Sequence, residues 1–168
     1  MAGKGTRVEG SGAPLIQEGI GVEPAWLDYN GHLNMAYYVV IFDRAMDGLV
    51  EAIGLSVEPT ADHTIYAAET QVRYLAEVHA EATLRCETSV LQVDERRVHS
   101  WQVLRHADGT VAATSENLHL SIARGTPPRV APFRADILAR LKELCVEGPK
   151  PEGSGGRIAA RMISAPTA

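Results

Sequence analysis

The sequence has few cysteines and no cluster of basic residues. Its two cysteines, Cys86 and Cys145, stand without the CxxC or Cys/His spacing of a zinc site and without the framework of a disulfide-rich domain. We therefore expect free thiols and a cytoplasmic protein. The 16 lysines and arginines are scattered along a chain of net charge −5, which argues against a nucleic-acid partner.

Several functional motifs are also missing. No apolar run is long and uncharged enough to cross a membrane, and residues 1–13 are Gly-rich without the apolar core of a secretory signal. The chain contains no GxSxG elbow of a serine hydrolase. We expect no metal, because none of the following histidines has metal-ligand spacing: His63, His79, His99, His106 and His119.

Length and composition predict one domain of ordinary size. The chain has 168 residues and 45% hydrophobic content, which is enough for a proper core. We predict a flexible tail at residues 1–13 and a folded domain at residues 14–146. Residues 147–168 have the Pro, Gly and Ser content of a loose tail.

The central feature of the sequence is a long apolar helix. No residue between positions 33 and 42 is charged, and apolar side chains fall on every side, so this half is predicted to be buried all round. Farther along, Asp43, Asp47 and Glu51 form one acidic row, which favours exposure of the second half. Gly54 is the expected end of the helix.

A polar turn leads directly into this helix. Asp28 and Asn30 are both candidate helix caps, and Gly31 permits a sharp entry. Free N–H groups at a buried helix N-terminus attract anions and developing negative charge. Because Asp28, Asn30 and His32 place a carboxylate, an amide and an imidazole there, we interpret the turn as the active site.

The remaining patterns predict five strands and a terminal helix. A first short strand is expected at residues 15–22, with Ile16, Ile20 and Val22 on one face. Alternating residues predict four further strands, and leucines at helical spacing then predict an amphipathic helix that ends near Gly148. The four strands are expected at residues 63–74, 82–93, 97–106 and 110–123.

The order of these elements predicts an α+β fold. Five antiparallel strands can bury the helix only by curling around it. Since one curled sheet covers the helix on one side, we expect a second copy to cover the remaining apolar surface. The sequence therefore predicts a homodimer or homotetramer with the helix N-terminus near the seam.

The motif at residues 28–34, DYNGHLN, followed by Tyr37, resembles the signature of hotdog-fold acyl-CoA thioesterases of the 4-hydroxybenzoyl-CoA thioesterase type. The likeness covers about residues 15–123 and includes VRYLAE at residues 72–77. The runs MAYY and FDRA, at residues 35–38 and 42–45, are similar to betainyl-CoA thioesterases of carnitine breakdown. The resemblance implies the hotdog fold and hydrolysis of a small or short-chain acyl-CoA, with coenzyme A as part of the substrate and no cofactor.

Thioester hydrolysis needs a group that attacks or activates water, and donors for the oxyanion. Asp28 is predicted to be that group, as nucleophile or general base, with a simple helix cap as the alternative. Asn30 is predicted to orient water or to serve the oxyanion, or else only to form the turn. His32 is predicted to hydrogen-bond the thioester carbonyl or to hold Asp28 in place. The alternative is a buried histidine whose hydrogen bonds go to backbone groups. The oxyanion donors are expected among the amides of residues 34–37.

The predicted substrate-binding residues are those that crowd the turn and one acid from a strand. Aromatic rings here could hold a quaternary ammonium by cation–π contact, or they could simply pack in the core and interface. Glu69 is either a second carboxylate of the site or a solvent-facing strand residue. This set comprises Trp26, Tyr29, Asn34, Tyr37, Tyr38 and Glu69. The candidate partners of the CoA phosphates are Arg96, Arg97, Arg124, Arg129 and Arg157.

Two other functions remain open at this point. A hydratase or dehydratase on the same architecture would need a histidine and an acid facing each other, for which His32 with Asp43 or Glu69 is the available pairing. A non-catalytic acyl-CoA-binding protein or structural subunit would bind the ester without releasing a thiol.

Overall fold

The computed structural model describes residues 4–8, 12–156, 158 and 162. A 3-10 turn at Pro24–Trp26 precedes the first α-helix. No helix among the described residues is long and apolar enough to cross a membrane. In chain order the regular elements are β1 (Lys4–Val8), β2 (Leu15–Gly21), α1 (Met35–Ala52), β3 (His63–Tyr74), β4 (Thr83–Val93), β5 (Arg97–His106), β6 (Val111–Ala123), β7 (Arg129–Val130) and α2 (Ala135–Glu143).

The strands form one antiparallel sheet. Its order is β1-β2-β4-β5-β6-β3, and β7 pairs with β6 beside this path. The long helix α1 packs against the sheet through contacts with β2, β3 and β4, and α2 packs against β4. The predicted α+β fold is confirmed: the five predicted strands are present, with the short strands β1 and β7 in addition.

The turns between the strands follow from local chemistry. Asp94 Oδ1 accepts the N–H groups of Arg96 (2.9 Å) and Arg97 (2.8 Å), which closes the predicted β4–β5 turn. Gly109 adopts φ +91° in the β5–β6 hairpin. At the end of α1, Gly54 adopts φ +80°, so the predicted end of the helix is confirmed.

The burial of α1 differs from the prediction. Met35 and Val39 remain 66% and 41% exposed, so the prediction that the first half is buried all round is wrong for a single chain. The sheet covers only one side of the helix, and nothing among the described residues covers the other. The acidic row of Asp43, Asp47 and Glu51 is exposed as predicted. Most of the buried residues lie in the second half, namely Ala45, Met46, Gly48, Leu49 and Val50.

The first predicted strand is correct in position, and Ile20 and Val22 of its predicted face pack against the core, but Ile16 does not. Leu15 packs in the core, whereas Ile16 is only half-buried. The pairing of β2 with β4 shifts register between Gln17 and Ile20, where Gly19 adopts φ +70°. A bulge of this kind moves the following side chains to the other face, which strict alternation does not anticipate.

The two predicted tails contain ordered segments. Within residues 1–13, β1 pairs with β2 through backbone groups, which need no apolar pattern in the sequence. Within residues 147–168, the Gly156 N–H donates to Glu116 Oε2 (3.3 Å), and Ile158 is buried with Leu118. Positions 1–3, 9–11, 157, 159–161 and 163–168 lie outside the described residues. The exact domain boundaries stay predictions.

Gly54 provides a test of how α1 is ended. A Cβ added there would meet the Arg140 guanidinium, which donates to the Ile53 carbonyl (3.2 Å). We expect Gly54→Ala to lower the free energy of unfolding by about 1–2 kcal/mol through left-handed strain, with a further loss from the displaced Arg140. Gly109→Ala is the matched control, because its φ is +91° and no atom lies within 4 Å of its added Cβ. Urea unfolding should show the larger loss for Gly54→Ala, and equal losses would contradict a role for the Arg140 contact.

Candidate active site

The turn at residues 28–34 is closed by hydrogen bonds around Asp28. The Asp28 N–H donates to the His32 carbonyl (2.8 Å), and the Gly31 N–H donates to the Asp28 carbonyl (3.0 Å). Asp28 Oδ1 accepts the N–H groups of Asn30 (2.8 Å) and His32 (3.2 Å). Gly31 adopts φ +79°, which the sharp turn requires. The carboxylate is therefore held by its own loop, ahead of the helix.

These contacts keep Asp28 ionised. Desolvation raises the pKa of its carboxyl, but the N–H groups of Asn30 and His32 and the nearby His32 imidazole together lower it further. The net pKa lies below the ordinary aspartate value. At neutral pH the side chain is a carboxylate, which is the form that either a nucleophile or a general base requires.

The helix cap is Asn34, not Asp28 or Asn30. The Asn34 side-chain oxygen accepts the Ala36 N–H (3.0 Å), and α1 begins at Met35. The alternative that Asp28 merely caps the helix is therefore wrong. The oxygen of Asn34 is committed to the cap, which explains its place in the motif without a contact to substrate.

One amide at the helix N-terminus is left open. Among the amides predicted as oxyanion donors, the Asn34 N–H donates to the Trp26 carbonyl (2.9 Å) and the Tyr37 N–H to the Asn34 carbonyl (2.9 Å). The Ala36 N–H is taken by the cap. For the Met35 N–H, the described part of the chain offers no acceptor. Met35 therefore presents a free donor at the positive end of the helix dipole.

An open cavity of about 380 Å³ lies beside the turn. Of the predicted site residues, Asp28, His32 and Tyr38 line it. The sequence analysis did not assign Tyr74 and Glu77 to the site, although both lie in the run VRYLAE. The remaining lining residues are Leu33, Met35, Leu75 and Ala76.

The far wall of the cavity is the segment that follows β3. It is docked on the turn by a hydrogen bond from the Leu33 N–H to the Val78 carbonyl (2.7 Å) and by an antiparallel bridge between His32 and His79. This docking brings Glu77 to the cavity. Glu77 lies in the segment after the strand, because β3 ends at Tyr74.

Two tyrosines form the aromatic part of the cavity. The rings of Tyr38 and Tyr74 meet edge to face, with centroids 5.1 Å apart. The Tyr74 hydroxyl donates to the Met35 carbonyl (3.3 Å), and the Tyr38 hydroxyl to the Ala76 carbonyl (3.4 Å). Burial, with the nearby Tyr74 and Glu77, raises the pKa of Tyr38, so its hydroxyl stays neutral.

A cluster of possible metal ligands also lies here. His32 Nδ1 is 3.7 Å from Glu77 Oε1, and His79 Nε2 is 4.0 Å from Glu77 Oε2. One ligand atom from each of the three residues lies within 4.8 Å of the others, so the cluster could hold a metal ion. Sequence spacing did not indicate this group, because tertiary docking brings the two histidines together. The expectation of no metal stays a prediction.

Several predicted site residues do not line the cavity. Trp26 is buried, its ring stacks on Tyr37 with centroids 5.4 Å apart, and Arg44 Cζ lies 5.0 Å from the Trp26 ring centroid. The ring is thus already occupied by groups of this chain. Tyr29 is 97% exposed, and Asn30 is exposed and contributes its N–H to the turn.

The candidate second carboxylates lie elsewhere. Glu69 lies on β3, opposite Leu118 of β6, and is absent from the cavity lining. Asp43 lines a different, smaller cavity of about 180 Å³ beneath α1. Glu116 is buried and its Oε1 lies 2.7 Å from His99 Nε2, which makes it part of a structural pair. The acid that the fold places beside His32 is Glu77.

Two of the candidate arginines already have partners. Arg97 pairs with Asp94 (2.6 Å), and the Arg124 guanidinium donates to the carbonyls of Glu58 and Pro59. Arg96 and Arg129 are exposed, and Arg157 lies outside the described residues. The assignment of arginines to the CoA phosphates stays a prediction.

The sequence model of the thioesterase-like superfamily matches residues 22–141. The betainyl-CoA thioesterase of Pseudomonas aeruginosa is 35% identical over 140 residues, covering 80% of this chain and 87% of that protein. The L-carnitine dehydrogenase/betainyl-CoA thioesterase of Agrobacterium fabrum is 35% identical over 150 residues, covering 88% of this chain. The match spans only 31% of that longer relative.

Solved structures show the same fold. A Staphylococcus aureus protein determined in complex with CoA has a TM-score of 0.74 and 22% identity, covering 88% of this chain and 94% of that one. A 1,4-dihydroxy-2-naphthoyl-CoA thioesterase from Synechocystis has a TM-score of 0.68 and 16% identity, covering 78% and 97% respectively. At these identities the likeness establishes the architecture.

The assignment of Asn34 as the cap predicts an effect on stability. Asn34→Ala should lower the free energy of unfolding by about 1 kcal/mol, because the Ala36 N–H loses its acceptor. Asn34→Asp keeps an accepting oxygen and should retain most of this stability. Thermal or urea unfolding of the two variants tests the assignment, and full stability in Asn34→Ala would argue against it.

Proposed function

The chain belongs to the thioesterase-like superfamily and is a thioester hydrolase of the hotdog fold, and we propose that it hydrolyses an acyl-CoA thioester in the cavity beside Asp28. The observation that carries this proposal is the arrangement at the start of α1. An ionised carboxylate, Asp28, and an open amide, Met35 N–H, belong to residues that line one cavity. They supply the two functions that thioester cleavage needs.

The chemistry has two routes that share these groups. In the first, Asp28 takes a proton from water, and the water oxygen bonds to the thioester carbonyl carbon. In the second, Asp28 bonds to that carbon itself and forms a mixed anhydride, which water then cleaves. In both routes the carbon–sulfur bond breaks, the electron pair leaves with the CoA sulfur, and the thiolate takes up a proton.

The oxyanion formed on the carbonyl oxygen is assigned to the helix N-terminus. The Met35 N–H and the dipole of the 18-residue helix α1 both favour negative charge there. His32 lies beside the carboxylate and donates its backbone N–H to Asp28, so it supports the position of the acid. The reaction as proposed uses water and no cofactor beyond the CoA of the substrate.

The favoured substrate is betainyl-CoA, which places the protein in carnitine breakdown. Two relatives at 35% identity carry betainyl-CoA thioesterase in their names, and one of them is matched over 87% of its length. The hydratase alternative has less support, because neither Asp43 nor Glu69 lines the cavity that contains His32. The names of these relatives likewise favour hydrolysis over simple binding.

We also propose a homodimer in the cytoplasm. Met35 and Val39 of α1 are exposed apolar side chains, and Met35 lines the cavity. The strand β3 lies at the end of the sheet order, with 12 residues along an edge that a second copy could pair with. A second copy would cover both features.

The cytoplasmic location rests on Cys86 and Cys145, which are free thiols.

The role of Asp28 is tested by Asp28→Asn. We expect loss of nearly all turnover, measured as thiol release from betainyl-CoA, with the fold retained because the asparagine oxygen can accept the same two N–H bonds. Asp108→Asn is the matched control. Asp108 Oδ1 also accepts a backbone N–H, from Thr110 (2.9 Å), and its pKa is likewise lowered, but it lies outside the cavity. Normal turnover in Asp28→Asn would refute the assignment.

The dimer is tested by Val39→Asp. An unpaired buried charge costs about 3–5 kcal/mol, so the dimer should weaken by at least about 100-fold. Val57→Asp is the control, since Val57 is also exposed (48%) but lies beyond the end of α1. Analytical ultracentrifugation across a concentration series measures both. A wild-type monomer, or equal effects of the two substitutions, would count against this interface.

A further inference from the structure

The cavity beside Asp28 contains a second acid that the proposed hydrolysis does not use. Asp28 and Glu77 both line it, whereas no lysine or arginine does. The basic side chains that the described structure places within 4.0 Å of the Glu77 carboxylate are those of His32 and His79. Among the described residues, the lining of this cavity is therefore acidic.

Glu77 is available to a ligand. Its side chain is 70% exposed, and its contacts with His32 (3.7 Å) and His79 (4.0 Å) are both longer than a hydrogen bond. The position of Glu77 is nevertheless fixed by its backbone. The neighbouring Val78 carbonyl accepts a hydrogen bond from the Leu33 N–H, and the Glu77 backbone carbonyl oxygen lies 3.1 Å from His106 Nε2.

The aromatic rings next to this acid are Tyr38 and Tyr74. Both line the cavity, and their hydroxyls are tied to backbone carbonyls, which holds the rings in place. Trp26 and Tyr37, by contrast, stack on each other away from the cavity lining. An aromatic and carboxylate pocket suits a quaternary ammonium, which cannot donate hydrogen bonds and is held by negative charge and ring faces.

We propose that Glu77, with Tyr38 and Tyr74, forms a subsite for a cationic acyl group, so that the enzyme selects acyl-CoA esters carrying a quaternary ammonium. The proposal rests on the proposed thioesterase function and defines its substrate class. In a betainyl ester a single methylene separates the ammonium from the thioester carbonyl. The ammonium must therefore lie within the same small cavity as the carboxylate that cleaves the ester, and Glu77 meets this requirement.

The test compares two esters of the same shape. Betainyl-CoA carries a trimethylammonium group, and 3,3-dimethylbutyryl-CoA carries a tert-butyl group at the same place. The wild-type enzyme should cleave the cationic ester with the higher kcat/KM. Because the two esters also differ in intrinsic reactivity, the decisive quantity is the change in their kcat/KM ratio on substitution.

Glu77→Gln should lower kcat/KM for betainyl-CoA by roughly tenfold or more and leave the neutral ester nearly unchanged, because only the cation loses a charge partner. Glu81→Gln is the matched control, as it removes an exposed carboxylate from the same segment outside the cavity.

Tyr74→Leu should lower the kcat/KM ratio of betainyl-CoA to the neutral ester severalfold, and Tyr74→Phe should restore this ratio because the ring remains. Tyr66→Leu is its control, since Tyr66 lies on the same strand with similar exposure (45% against 44%).

The outcomes separate the subsite from the proposed function. An equal loss on both esters in Glu77→Gln would overturn the subsite and assign Glu77 to the support of His32. A kcat/KM ratio unchanged by Glu77→Gln would overturn the subsite alone, whereas cleavage of neither ester by the wild type would overturn the thioesterase function and the subsite with it. Each assay is repeated in EDTA, where the ratio should be unchanged. A preference that disappears in EDTA would overturn the proposal by assigning Glu77 to a bound metal ion.

Discussion

The site depends on the docking of the segment after β3 onto the turn before α1. One short backbone hydrogen bond, from the Leu33 N–H to the Val78 carbonyl, joins two residues that are both buried. Buried backbone groups must be paired, so this contact fixes the spacing of the two segments. The turn at residues 28–34 forms one wall of the cavity and Glu77 forms the other. Without this contact the turn would keep its internal hydrogen bonds but would face no opposing wall.

The turn separates two tasks that one acid could have combined. Asn34 caps the helix, and Asp28 is held by N–H groups of its own loop. The Asp28 carboxylate is consequently ionised and does not serve as the helix cap. The helix N-terminus in turn keeps the Met35 N–H open for developing charge. This division explains why the motif contains both Asp28 and Asn34, with an amide and an imidazole between them.

The helix also links the site to assembly. Its apolar side chains Met35 and Val39 remain exposed, and Met35 lines the cavity, while the apolar residues of its second half are buried within the same chain. Covering these side chains in a dimer would place the cavity at the edge of the interface. Exclusion of water there would strengthen the attraction between Glu77 and a cationic acyl group.

Local patterns in the sequence determined most of the elements and the turn before α1. Alternation located the strands, Gly54 marked the end of α1, and the group at residues 28–34 identified Asp28, because these signals act over a few residues. Tertiary structure decided the rest. It turned the face of β2 at a bulge, removed Glu69 and Trp26 from the cavity, and brought in Tyr74 and Glu77. These outcomes depend on contacts between segments far apart in the chain, which neither periodicity nor spacing records.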